Sequence, residues 1–153
     1  CLAVSMYVQD YDETLPMGIA GVPPNIYTIS ETLDPYIKNE QIWQCPSKQN
    51  SVNLSAIGKP NVSYSVDVGT EVPSGSSSGR LFGVPAAGTF SCKLAQIKAP
   101  ASTAILCDAA GAVDATFTST IVEDDRHNGG CNYGYADGHV KWDRPERVDI
   151  RLR

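Results

Sequence analysis

The segment Arg126-His127-Asn128-Gly129-Gly130-Cys131-Asn132-Tyr133-Gly134-Tyr135-Ala136-Asp137-Gly138-His139-Val140-Lys141-Trp142 decides how this chain reads. Asp137-Gly138 is a dipeptide that supplies positive φ at both centres of a type I′ turn. With alternating residues on either side, it predicts two antiparallel strands joined by a two-residue loop. That register sets Tyr135 opposite Val140 and Tyr133 opposite Trp142. These four residues then form one aromatic face to be buried, and Asn132, Gly134, Ala136, His139 and Lys141 take the more polar face. Gly129-Gly130 lets the chain turn tightly into the first strand.

Working outward, residues 1 to about 11 read as the end of a helix, with Leu2, Met6 and Tyr7 spaced along it and Pro16 forbidding much continuation. Asp10, Asp12 and Glu13 oppose the helix dipole at a C-terminus, which places the helix end before them. Residues 16–27, with Gly18, Gly21, Pro23 and Pro24, read as loop. Thr28 and Glu31 make a capping box and Ile29, Leu33 and Ile37 one apolar stripe, so a short helix is expected from about 29 to 38. Ile42-Trp43 reads as a brief extended piece. Residues 62–66, 103–108 and 116–122 read as strands, and 94–97 as a further ordered segment. The stretch 69–89, dominated by Gly, Ser and Pro, reads as a long surface loop. The order of helix, small helix and then antiparallel sheet defines an α+β fold in a single domain, 1–153, whose residues 1–15 are the helix end and its exit.

With 153 residues, 42% hydrophobic, the chain is long enough to bury a real core. A net charge of −5 argues against nucleic acid as a specific partner. The terminal arginines 144, 147, 151 and 153 alternate with Asp143, Glu146 and Asp149 and read as a solvated or ion-paired tail. Five cysteines lean toward an oxidising compartment. Cys107 with Cys131, and Cys45 with Cys92, are candidate disulfide pairs, against the alternative of free thiols buried as small hydrophobes. No close C-x2-C cluster points to structural zinc. Asn53-Leu54-Ser55 and Asn61-Val62-Ser63 match the glycosylation sequon.

The spacing from His127 across nine residues to Asp137-Gly138 resembles the H-x9-D-G segment at the C-terminal end of many bacterial type IV pilin-like and type II secretion pseudopilin-like proteins. Other pieces match in order. Residues 6–16 resemble the exit from that family's long N-terminal helix. Leu33-Asp34-Pro35-Tyr36-Ile37-Lys38 and then Cys45-Pro46-Ser47 resemble its "L-x-P-Y-hydrophobic-K... C-P-S" segment. Leu94-Ala95-Gln96-Ile97-Lys98-Ala99-Pro100-Ala101 followed by Ile105-Leu106-Cys107-Asp108-Ala109 resembles its approach to the sheet. The resemblance covers nearly the whole chain and rests on the four matches together.

What the resemblance implies is a pilin-like fold, the end of an N-terminal helix packed on a small antiparallel sheet with a C-terminal hairpin. In such a fold His127, Asp137 and Gly138 are structural signature residues. The implied function is a non-enzymatic filament subunit that polymerises with copies of itself at the cell surface. The inner membrane and the pilus assembly machinery are its partners through an apolar anchor helix. No run of eighteen apolar residues occurs here, and Cys1 fits a chain cut from something longer, with a helix-free protein as the alternative. A shortened helix leaves part of the sheet bare, so an exposed apolar patch is expected.

The candidate chemistry is limited. His127, Asp137 and His139, with Asp108, Asp124 and Asp125, could be drawn as a catalytic or metal-binding group, but Asp137 is explained by its turn and no nucleophile sits in a recognisable elbow. No catalytic residue is therefore assigned. Calcium is the candidate ion, because some secretion pseudopilins hold one with oxygen ligands. Asp124-Asp125 with Asp108 or Asp114 would supply hard oxygens here. The rival to the filament reading is a secreted or periplasmic β-rich module that binds carbohydrate or a surface ligand through exposed aromatics.

Overall fold

The computed structural model describes residues 1–22, 25–48, 62–66, 79–80, 90–108 and 124–145. The strand expected at 116–122, most of the 69–89 loop, Asn53, Asn61, Asp114 and the arginines at 147, 151 and 153 lie outside the described residues.

Helix α1 (Leu2–Asp10) turns Val4 and Val8 into the core, while Leu2 and Met6 stay 76% and 43% exposed. It runs through Asp10, one residue further than the dipole argument allowed, and the Tyr36 hydroxyl donates to the Asp10 carboxylate at 2.8 Å. That bond pushes the Tyr36 hydroxyl up to about 12. The helix is left through Asp12 and Glu13 at φ 50 and 58, and the Glu13 N–H closes onto the Val8 carbonyl.

Residues 16–27, expected as loop, contain two strands: β1 (Ile19–Val22) pairs antiparallel with β2 (Asn25–Thr28). Gly21, Pro23 and Pro24 signal a turn, yet Ile19, Val22, Ile26 and Tyr27 are of the β-branched and aromatic types that suit a pleated surface. Helix α2 (Ile29–Leu33) starts at the expected capping box, with Glu31 accepting the Thr28 N–H at 2.9 Å. It is shorter than expected, because Pro35 cannot supply a helical N–H and the chain tightens into a 3-10 turn, Asp34–Tyr36. The extended piece expected at Ile42-Trp43 is another 3-10 turn, Glu40–Trp43, started by Asn39 accepting the Gln41 N–H. Residues 94–97 likewise begin as a 3-10 turn, Leu94–Gln96.

The main sheet uses β3 (Tyr64–Val66), β6 (Ala104–Asp108), β7 (Cys131–Tyr135) and β8 (Val140–Asp143), in the order β3-β6-β7-β8, all antiparallel. Two two-residue strands, β4 (Gly79–Arg80) and β5 (Phe90–Ser91), form a separate parallel ladder. The architecture is α+β.

The hairpin is present, but its register is one residue away from the expected one. Gly138 N–H bonds to the Tyr135 carbonyl and Tyr135 N–H to the His139 carbonyl, so Ala136, Asp137 and Gly138 form a three-residue loop. Only Gly138 takes positive φ, +95, as in a turn closed by a glycine bulge. Trp142 therefore faces Asn132, and Val140 faces Gly134. A one-residue slip exchanges the faces. Tyr133 and Tyr135 are buried as expected, but Val140 and Trp142 are on the opposite face, 62% and 46% exposed.

Following the ladder across, Tyr64, Val66, Leu106, Asp108, Asn132, Gly134, Val140 and Trp142 share one face. Helix α1 lies on it. A side chain at Gly134 would collide with the Cys1 thiol, and one at Gly138 would come 3.3 Å from the Ser5 hydroxyl. Val4 and Val8 join Leu15, Ile29, Leu33, Val62, Val66 and Ile105 in the core on this side. The other face buries Ala104, Cys107, Cys131, Tyr133 and Tyr135 together.

Candidate polar site at the end of the sheet

The far end of the helix-bearing face carries charge. Asp108, the last residue of β6, is fully buried, and burying a carboxylate is costly unless it is paired and hydrogen-bonded. Arg126 meets that need: its Nη2 lies 2.7 Å from Asp108 Oδ1 and 3.0 Å from the Ser63 carbonyl, and its Nη1 lies 2.6 Å from Asp124 Oδ2. Asn132 donates to Asp108 Oδ2 twice, through its backbone N–H at 2.8 Å and its side chain at 3.0 Å. Burial opposes the charge on Arg126, but its hydrogen bonds to Asp124 and Cys45 and the nearby Asp108 outweigh that and raise its pKa. Lys48 nearby is lowered, by burial first and then by Arg126.

Cys45 and His127 complete the cluster. Cys45 follows the 3-10 turn, held by its N–H donating to the Ser63 hydroxyl at 3.0 Å, with Ser63 N–H bonded to the Trp43 carbonyl. Its thiol lies 3.5 Å from His127 Nε2, and that same nitrogen lies 3.5 Å from Asp108 Oδ2. His127 is positioned by the tight turn before β7, where Asn128 and Gly129 take φ 58 and 74 and His127 N–H reaches the Gly130 carbonyl. Its own carbonyl accepts the Trp142 indole N–H at 2.8 Å. Thiol and carboxylate approach one ring nitrogen, so they are not arranged on opposite nitrogens as a nucleophile–histidine–acid relay requires.

The expected groups are therefore divided. His127 joins Asp108, whereas Asp137 and His139 sit at the hairpin tip, joined to each other at 2.6 Å with His139 stacked on Tyr135. The His139 hydrogen bond holds the Asp137 carboxyl below the ordinary range. Of the calcium candidates among the described residues, Asp108 and Asp124 each bind the Arg126 guanidinium, which stands between them, and Asp125 is exposed. Neither candidate disulfide, Cys107 with Cys131 or Cys45 with Cys92, is joined in this structure. Cys107 faces Tyr133 in the ladder rather than Cys131. Cys92 is buried apart, beside Leu15 across a backbone hydrogen bond, and burial pushes its thiol up to about 11.

Arg126, Asn132 and Ser63 were not singled out from sequence. The Asp-Asp-Arg-His run at 124–127 was the available signal, since an arginine between acids and a histidine is placed to neutralise a buried carboxylate. A scan against protein-family models and searches of curated proteins and solved structures found no match to the chain. No helix among the described residues is long and apolar enough to cross a membrane.

Proposed function

We propose that this protein is a structural subunit of a type IV pilus-like or type II secretion pseudopilus filament, a pilin-like domain that acts by self-assembly at the cell surface. The observation that carries the reading is the two-sided character of α1. Val4 and Val8 are seated against the sheet, while Leu2 and Met6, about half a turn around the helix, are exposed. A helix with apolar residues on both sides is suited to be covered on both, by its own sheet and by other helices. The signature residues have structural work: Gly138 takes the left-handed turn position, Asp137 accepts the His139 N–H, and His127 anchors Trp142.

Immunogold labelling of producing cells with an antibody to this domain tests the proposal. Gold along surface filaments is expected, and label confined to unassembled protein would overturn it. The exposed Trp142 and Val140 favour, as the second reading, a secreted module that binds a carbohydrate or surface ligand. That reading requires soluble protein that retains a glycan and loses it on Trp142→Ala.

A further inference from the structure

We propose that Cys45, Asp108 and His127 form a binding site for a thiophilic divalent cation of the Zn2+ type. Their donor atoms all lie within 4.8 Å of one another, with Sγ–Nε2 and Nε2–Oδ2 each 3.5 Å. A tetrahedral zinc with bonds of about 2.0–2.3 Å separates neighbouring donors by about 3.3–3.6 Å, so the two pairs that meet at His127 Nε2 already have ligand spacing, with the Cys45 thiol and the Asp108 carboxylate within 4.8 Å of each other. The donor set of thiolate, imidazole and carboxylate selects a borderline ion over calcium or magnesium.

The surroundings match an outer shell. The Asp108 carboxylate is oriented by Arg126 and Asn132, while the backbones that carry the other two ligands are fixed, Cys45 by Ser63 and His127 by Gly130 and Trp142. Charge also balances. The Cys45 thiolate and the Asp108 carboxylate offset a divalent ion, and Arg126 remains matched by Asp124. Binding releases the thiol proton of Cys45 to solvent. His127 is 27% exposed while Asp108 is sealed, so the fourth coordination position opens on the histidine side, where water can complete the tetrahedron. An ion here would tie three segments distant in sequence to one point. The site stands independently of the filament reading.

The test is Co2+ and Zn2+ titration of the purified 153-residue chain, with absorbance to detect a thiolate-to-cobalt charge-transfer band and thermal unfolding as a second readout. One ion per chain, the thiolate band and a Zn2+-dependent rise in Tm are expected. Cys45→Ser should abolish the band. His127→Gln should weaken Zn2+ by more than the roughly 10- to 100-fold typical of losing an outer-shell partner. His139→Gln and Cys92→Ser should leave the cobalt band and the Zn2+-dependent increment in Tm unchanged, whatever they do to the Tm of the metal-free chain. Should Cys45→Ser fail to fold, His127→Gln alone decides. No uptake by the folded wild-type chain, or uptake that Cys45→Ser and His127→Gln leave intact, would overturn the site and leave a thiol–imidazole hydrogen bond only.

Discussion

The indole of Trp142 lies so close over Gly130 that a methyl group on that glycine would sit 2.5 Å from the ring. Because the same indole donates to the His127 carbonyl, edge strand β8 clamps the turn that presents His127 to Asp108 and Cys45. Gly130 is thus required for close approach, and Trp142 holds the junction from outside.

Gly130→Ala should destabilise the domain by about 1–3 kcal/mol, the usual cost of overpacking, with a shift in tryptophan emission as the indole is displaced. Urea unfolding checks it. Gly129→Ala meets no atom within 4 Å, so its cost should arise from the φ of +74 alone, about 1–2 kcal/mol, with emission unchanged.

Arg126→Ala should cost about 3–5 kcal/mol, because it strands a fully buried carboxylate at Asp108. Removing both partners, in Arg126→Ala with Asp108→Ala, should cost less than the sum of the single changes. Equilibrium unfolding of the four proteins in the cycle measures the coupling, and simple additivity would contradict it.

The sheet shows how far sequence carries this protein. The 103–108 run is buried on both faces apart from the partly exposed Leu106, and its nearly continuous apolar pattern made the strand legible. The capping box at Thr28 and Glu31 was equally local. The hairpin register was not legible, because Asp-Gly serves both a two-residue loop and the last two positions of a three-residue loop. Choosing between them moves Trp142 from core to surface. Strands β1 and β2 were obscured by glycines and prolines that mark turns in most contexts. The polar site was the least legible, since Cys45 and His127 are 82 residues apart and meet only through the fold.

Cys92 should make the protein lose stability at alkaline pH. Its folded thiol holds its proton up to about 11, above the ordinary value of 9.0. The stabilisation is complete below the unfolded value and fades as pH rises from about 9 through 11. Unfolding free energies followed across that range should fall more steeply for the wild type than for Cys92→Ala. Parallel slopes would contradict the assignment.

Leu2→Asp with Met6→Lys should leave folding of the domain within about 0.5 kcal/mol, since both side chains are exposed, yet abolish filaments in producing cells. Denaturation and electron microscopy give the two readouts. Intact filaments would show that this stripe is not an assembly surface.

The filament account is tested most directly by shearing producing cells and determining the intact mass and N-terminal sequence of this chain in the released fraction. The account predicts polymeric material whose subunit carries about 20 or more mostly apolar residues ahead of Cys1, enough to span a membrane as a helix. A native chain that begins at Cys1 and stays in the soluble fraction would contradict it.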